Sequence, residues 1–112
     1  METGNLIVDK SIEFSLEIVK IYKFLISSKW ICAFKTTTKV RTSIGANVVE
    51  AQRGFTKKEF THKLNISLGE ASETRYWLFL LYKAEFIDKE MYINIDEKCR
   101  EIIKILTSII KK

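Results

Sequence analysis

Four polar side chains in the middle of the chain have the types and spacing that could support chemistry. They are Asn47, Glu50, Glu70 and Glu73. Helical proteins that hold two iron ions combine such glutamates with Glu-x-x-His motifs. His62 is the only histidine and lies eight residues before Glu70, so neither that site nor a Ser-His-Asp triad can be assembled. We therefore predict a non-enzymatic protein with no catalytic residue, metal, cofactor or small-molecule substrate.

The same four side chains suit a polar layer between the second and third helices. Arg53 and Arg75 could supply opposite charges to the carboxylates. Buried polar groups that are fully hydrogen-bonded can fix the register between helices and the choice of partner. We therefore interpret the four side chains as structural.

Basic residues gather along the second helix and the start of the third, and they form a candidate nucleic-acid-binding patch. They are Lys39, Arg41, Arg53, Lys57, Lys58 and Lys63, with His62 beside them. Lys57 and Lys58 fall at a helix start, where outward-pointing N–H groups also favour phosphate. A solvated charged face is the competing interpretation, because Glu59 interrupts the run and no RNA-binding signature with paired aromatics occurs. In an oligomer, symmetry would extend one modest patch into a continuous basic surface.

The elements that must position these residues are helices, because apolar periodicity predicts four of them, near 8–27, 29–53, 57–83 and 88–111. The chain has no proline and four glycines, and no strand pattern competes. Thr56 with Glu59 matches a capping box, and Asp88 is suited to cap the last helix. Short loops between four helices predict an all-α fold, an antiparallel up-and-down bundle in a single domain, 1–112.

The predicted core of the last three helices follows from spacings of three and four. It comprises Trp30, Ile31, Phe34, Ile44 and Val48 in the second, Phe60, Leu64, Leu68, Ala71, Leu78 and Leu81 in the third, and Tyr92, Ile95, Cys99, Ile102, Leu106 and Ile109 in the fourth.

Gly45 is expected at a close contact between helices. A glycine inside an exposed helix costs about 1 kcal/mol relative to alanine, and Ser43 and Ala46 keep its neighbours small. A plain helix–helix contact is the simplest explanation.

Two stretches carry more apolar surface than one chain can cover. The first helix has one row formed by Val8, Ile12, Val19, Tyr22 and Ile26, and a second formed by Phe14, Ile18, Ile21 and Leu25. Residues 76–82, which read YWLFLLY, are apolar all round. Such surfaces need several neighbouring helices or a partner chain. We therefore predict a homo-oligomer.

Length and composition limit the classes of protein to which the chain can belong. With 112 residues, 46% hydrophobic and 29% charged, the chain is typical of a soluble globular domain. No apolar run approaches the roughly 20 residues that span a bilayer, and no secretory signal is visible, so we expect a cytoplasmic location. Cys32 and Cys99 form no CxxC pair. A net charge of +5 weakly favours anionic partners.

The central motifs resemble a family of four-helix bundle proteins encoded in intervening sequences of bacterial 23S ribosomal RNA genes. They read TSIGAN at 42–47, EA at 50–51, KKEF at 57–60, EA at 70–71, ET at 73–74 and YWL at 76–78. The resemblance covers nearly the whole chain and marks Ser43, Gly45, Tyr76 and Trp77 as packing positions. It implies a left-handed four-helix bundle, in known relatives often assembled as a pentamer. The biochemical role of that family is unsettled.

Two classes of function remain at this point. One is a non-enzymatic accessory that binds the backbone of RNA or DNA through the basic patch. The other is a protein-interaction or structural scaffold whose charge serves solubility alone.

Overall fold

The computed structural model describes residues 4–27, 44–53 and 56–112. Within them the chain is all-α, with helices α1 (Leu6–Ser27), α2 (described over 44–51), α3 (Lys57–Lys83) and α4 (Lys89–Ile110), and it has no strand. The helices predicted at 57–83 and 88–111 are confirmed, and α1 begins two residues before its predicted start. The sequence predictions for Trp30, Ile31, Cys32, Phe34, Lys39, Arg41 and Ser43 lie outside the described residues.

Local side-chain chemistry defines the ends of α3 and α4. The Thr56 hydroxyl accepts a hydrogen bond from the Glu59 N–H at 3.1 Å, and the Asp88 carboxylate accepts one from the Met91 N–H at 2.8 Å. Both residues therefore cap their helices as predicted. At the far end of α3, Glu85 adopts a left-handed φ of 66°, which turns the chain back towards α4.

All four helices contribute to one apolar core. Phe14, Ile44, Leu64 and Leu106 are fully buried in it. Among the described residues, the buried apolar side chains are Ile7, Val8, Phe14, Ile18, Ile21, Ile44, Val48, Ala51, Leu64, Ala71, Leu78, Leu81, Ile87, Ile95, Cys99, Ile102 and Leu106. The predicted positions Phe60, Leu68, Tyr92 and Ile109 are half-buried against it. The periodicity of three and four therefore identified the core face of α3 and α4 and of the described part of α2.

The backbones of α1 and α2 approach closely at Gly45. A Cβ atom added to Gly45 would lie 3.1 Å from the Ser15 hydroxyl oxygen and 3.6 Å from the Ser11 carbonyl oxygen. A side chain at Gly45 would therefore press on the Ser15 side chain and the Ser11 backbone, so that α1 or the Ser15 hydroxyl must move to admit it. The expected close contact at Gly45 is confirmed.

Buried hydrogen bonds join α3 to its two neighbouring helices. The Ser67 hydroxyl donates to the Ile44 carbonyl of α2 at 3.1 Å, and the Cys99 thiol of α4 donates to the Ala71 carbonyl of α3 at 3.3 Å. Each donor is fully buried, so each bond satisfies a group that would otherwise be costly to bury.

Among the described residues, apolar side chains remain exposed on α1 and on α3. On α1, Leu16 and Val19 are exposed beside the core row that contains Phe14. On α3, the side chains of Tyr76, Trp77 and Phe79 are exposed, although Leu78 and Leu81 of the same turn are buried. The described helices therefore leave part of residues 76–82 exposed, and Tyr76 and Trp77 lie at the surface of the described part of the chain.

We predict that Gly45→Leu destabilises the protein by about 1–3 kcal/mol, because the new side chain overpacks the contact with α1. The matched control is Gly69→Leu in α3, where an added Cβ meets nothing within 4 Å. That variant should gain up to about 1 kcal/mol, because leucine is a better helix former than glycine. Urea denaturation followed by circular dichroism measures both changes. Equal effects of the two substitutions would contradict the close contact.

Candidate nucleic-acid interface

The candidate interface is the corner where α2 ends and α3 begins. Arg53 lies two residues after Ala51, the last residue of α2, and Lys57 and Lys58 occupy the first turn of α3. All three side chains are exposed. The first backbone N–H groups of a helix have no intrahelical acceptor, and the helix dipole is positive there. The corner therefore combines three exposed cations with a local field that favours an anion.

Lys63 differs from the other cations of the predicted patch. Its ammonium lies 2.9 Å from a carboxylate oxygen of Glu50. This pair ties α3 to α2 and offsets the charge that Lys63 would present to a phosphate. His62 is exposed one residue before it.

Contacts along the helices bring further basic residues to the same end of the molecule. The Asn5 side chain donates to Gln52 at 2.9 Å, which puts the start of α1 beside the end of α2. Lys10 pairs with Glu101 at 3.1 Å, which puts the second half of α4 beside the start of α1. That half of α4 is followed by two exposed lysines, Lys111 and Lys112. Sequence reasoning missed these two lysines because only the fold brings the chain terminus near the α2–α3 corner.

The predicted polar layer takes a different form from the one expected. Glu50 and Glu73 are exposed, while Asn47 and Glu70 are half-buried. In the part of the chain that the structure describes, the buried polar residues are instead Ser11, Ser67, Thr74 and Asp96. A buried hydroxyl can donate a hydrogen bond to a nearby backbone carbonyl, as the Thr74 hydroxyl does to the Glu70 carbonyl at 2.7 Å. A buried glutamate, by contrast, needs a charged partner. The glutamates therefore lie towards solvent.

Arg75 pairs with Asp96 on α4, not with the glutamates of α2 or α3. Its Nε donates to the Asp96 carboxylate at 2.9 Å, and Arg100 approaches the other carboxylate oxygen at 3.2 Å. The hydrogen bond from Arg75 raises the pKa of its guanidinium further above the ordinary value. The spacing of four residues between Asp96 and Arg100 is a sequence signal for the pair of those two residues. The pair of Arg75 and Asp96 has no such signal, because it forms only when α3 packs against α4.

Ion pairs also join α1 to α4 along their exposed edge. Lys98 of α4 lies 3.4 Å from both Glu13 and Glu17 of α1. The hydrogen bond and charge of Glu101 raise the pKa of Lys10 above its ordinary value of 10.5. A raised pKa means that this pair contributes its full stabilisation below pH 10.5 and loses it only as the pH rises through the higher folded-state value.

No group of histidine, cysteine, aspartate or glutamate side chains in the described ranges could hold a metal ion. None of the helices, over the parts that are described, is long and apolar enough to cross a membrane.

Comparisons with known proteins identify one family. The model of the family described as "23S rRNA-intervening sequence protein" matches residues 4–108. A crystal structure of a protein of unknown function from Bacteroides thetaiotaomicron, assigned to the S23 ribosomal protein family, is 46% identical, with a TM-score of 0.90 over 95% of this chain and 99% of the other. No curated protein matches the chain. Neither description names a catalytic activity.

We predict that Asp96→Ala destabilises the protein by about 1–3 kcal/mol, because it removes charge-assisted hydrogen bonds to a nearly buried carboxylate. The matched control is Glu50→Ala, which removes an exposed carboxylate from Lys63 and should cost no more than about 1 kcal/mol. Chemical denaturation measures both values. A larger loss at Glu50 than at Asp96 would show that the pair of Arg75 and Asp96 does not hold α3 and α4 together.

Proposed function

We propose that this chain, which belongs to the 23S rRNA-intervening sequence protein family, is a non-enzymatic homo-oligomer that binds the phosphate backbone of nucleic acid. The observation that carries the proposal is the corner formed by Arg53, Lys57 and Lys58, where three exposed cations adjoin the N-terminus of α3. Lys111 and Lys112 add positive charge at the same end. Lys39 and Arg41 lie outside the described residues, and we include them in the proposed surface on the basis of the sequence alone.

Backbone recognition fits the corner better than recognition of bases. Lysines act as point charges towards phosphates, and phosphate contacts carry no sequence information of their own. The corner has no exposed aromatic side chain among its described residues on which a base could stack. We therefore expect little preference between sequences.

The proposal includes an antiparallel up-and-down, left-handed four-helix bundle in one domain. Contacts at helix ends support the antiparallel order. The pair Asn5–Gln52 joins the start of α1 to the end of α2, and the pair Lys63–Glu50 joins the start of α3 to that same end of α2. The handedness, the pentameric state and the cytoplasmic location follow from the family resemblance and the sequence.

A second candidate is a protein-interaction scaffold without a nucleic-acid role. The exposed apolar side chains of α1 and the aromatic side chains of α3 favour it, because large apolar patches on a surface usually mark contacts with other chains. In the first candidate the basic corner binds phosphate, and in the second it serves solubility alone.

We expect the wild type to bind both RNA and DNA with an affinity that falls linearly with salt on logarithmic axes. Replacing Lys57 and Lys58 with glutamine should weaken binding to all sequences. It should also make the salt slope shallower by about two units, since each phosphate contact contributes close to one. Gel-shift titrations at several salt concentrations measure both effects.

The matched control replaces Lys23 and Lys89, which are exposed at the opposite end of the molecule, and sedimentation velocity checks that it assembles like the wild type. Lys98 is unsuitable as a control because it pairs with Glu13 and Glu17. If both double variants lose affinity equally, or if the wild type does not bind at low salt, the corner is a solvated face and the scaffold candidate replaces it.

We also expect light scattering at micromolar concentration to give the mass of an oligomer, because burial of the exposed apolar surfaces favours association. The binding and assembly measurements are independent. A monomeric mass would refute the oligomer without bearing on the basic corner.

A further inference from the structure

A shallow apolar groove runs between α1 and α2. Its lining consists of Ile12, Ser15, Leu16, Val19, Gly45, Ala46 and Val49, and its volume is about 450 Å³. Leu16 is 57% exposed, although it lies in the middle of a helix. A volume of this size falls in the range that accommodates drug-sized molecules. The groove therefore has room for large aromatic side chains.

A convex aromatic surface lies on α3, and we call Tyr76, Trp77 and Phe79 the ridge. Tyr76 is 60% exposed. It is two residues from each of the buried Thr74 and Leu78, so it points about half a helical turn away from the core. Tyrosine and tryptophan are the residues that most often anchor protein interfaces, usually by filling a pocket on the partner.

Ring contacts within the chain hold the ridge in place. Tyr76 and Trp77 meet edge to face at 6.2 Å, and Phe79 meets Tyr92 of α4 in the same way at 6.4 Å. Tyr92 in turn stacks on Tyr82 at 4.8 Å. A surface that is already ordered loses less conformational entropy when it binds.

The groove and the ridge face different directions. Gly45 of α2 contacts α1 at Ser11, while α3 contacts α2 through Ser67 and α4 through Ala71. The groove therefore opens on the side of α1 and α2, and the ridge lies on the outer side of α3. One molecule cannot bring its own ridge to its own groove.

The rims of the two surfaces carry one pair of opposite charges, in addition to Lys83, whose ammonium lies over the Phe79 ring. Lys23 lies one helical turn after Val19, the last α1 residue of the groove lining. Glu73 lies one helical turn before Trp77 of the ridge. Both side chains are exposed. Opposite charges at the rim of an interface favour one docking orientation.

From these observations we infer that the groove of one copy receives the ridge of the next copy. This rests on the homo-oligomer of the proposed function and identifies the two surfaces that form it. Because the two surfaces differ, the contact is head-to-tail, and such a contact generates a ring when its rotation closes. Each interface buries Leu16 and Val19 of one copy against Tyr76 and Trp77 of the next.

The test uses two variants that each block one surface. Leu16→Glu puts a charge in the groove, and Tyr76→Glu puts one on the ridge. Both positions are exposed, so each chain should fold, which circular dichroism checks. The matched control is Leu6→Glu, an exposed leucine on α1 that lies outside the groove lining.

We expect sedimentation velocity to show that the wild type and Leu6→Glu assemble and that each blocked variant alone is monomeric. An equimolar mixture of the two blocked variants should form a dimer with one copy of each. In that mixture, the intact groove of the Tyr76→Glu chain can still bind the intact ridge of the Leu16→Glu chain. A fluorescent label on one variant identifies the composition of the dimer.

Several results would overturn the inference. If Tyr76→Glu still assembles, the ridge is not in the interface, and loss of nucleic-acid binding in that variant would assign the ridge to nucleic acid. If both variants are monomeric and the mixture does not pair, the two surfaces do not meet each other. A monomeric wild type would overturn the oligomer of the proposed function as well, so the two failures are distinguishable. If either variant is unfolded, Ala46→Glu and Trp77→Glu repeat the experiment on the same two surfaces.

Discussion

The close approach of α2 to α1 at Gly45 is the constraint on which much of this structure depends. With no side chain at Gly45, the backbone of α2 lies near the Ser11 carbonyl of α1. Ile44 and Val48, on the same helix, are then fully buried in the core. A wider separation would withdraw both from the core, and each buried aliphatic side chain of this kind contributes about 1.5–3 kcal/mol. The hydroxyl of Ser11 is buried there without a hydrogen-bond partner among the described residues, which indicates that close packing outweighs polar satisfaction at this contact.

The same contact determines what remains on the outside. Because α1 uses Phe14 and Ile18 for the core, its apolar residues Leu16 and Val19 are left exposed beside α2. The small side chain of Ala46 leaves these two residues uncovered, which produces the groove. On the opposite side, Asp96 and Arg75 tie α4 to α3. The core and the exposed apolar surfaces are therefore two results of one packing arrangement.

Charge and apolar surface are separated on this molecule. The exposed cations Lys57 and Lys58 lie at one end, where they adjoin the end of α2. The groove and the ridge lie along the sides of the helices. An assembly built from side contacts would leave the basic end open, so the proposed phosphate binding and the proposed association do not compete for the same residues. A ring would place several basic corners together and strengthen binding through repetition.

Apolar spacing and capping residues were sufficient to predict the described helices, most of their core positions and the caps at Thr56 and Asp88, because these properties depend on neighbours three or four residues away. The special role of Gly45 was also visible, since an interior glycine has a known local cost. The partners of charged side chains were not predictable. Arg75 pairs with Asp96, and Lys63 pairs with Glu50, because helix packing brings together residues that are distant in the chain. Likewise, periodicity identified two apolar rows on α1, but only the tertiary structure decided which row is buried, because burial depends on where the neighbouring helices lie.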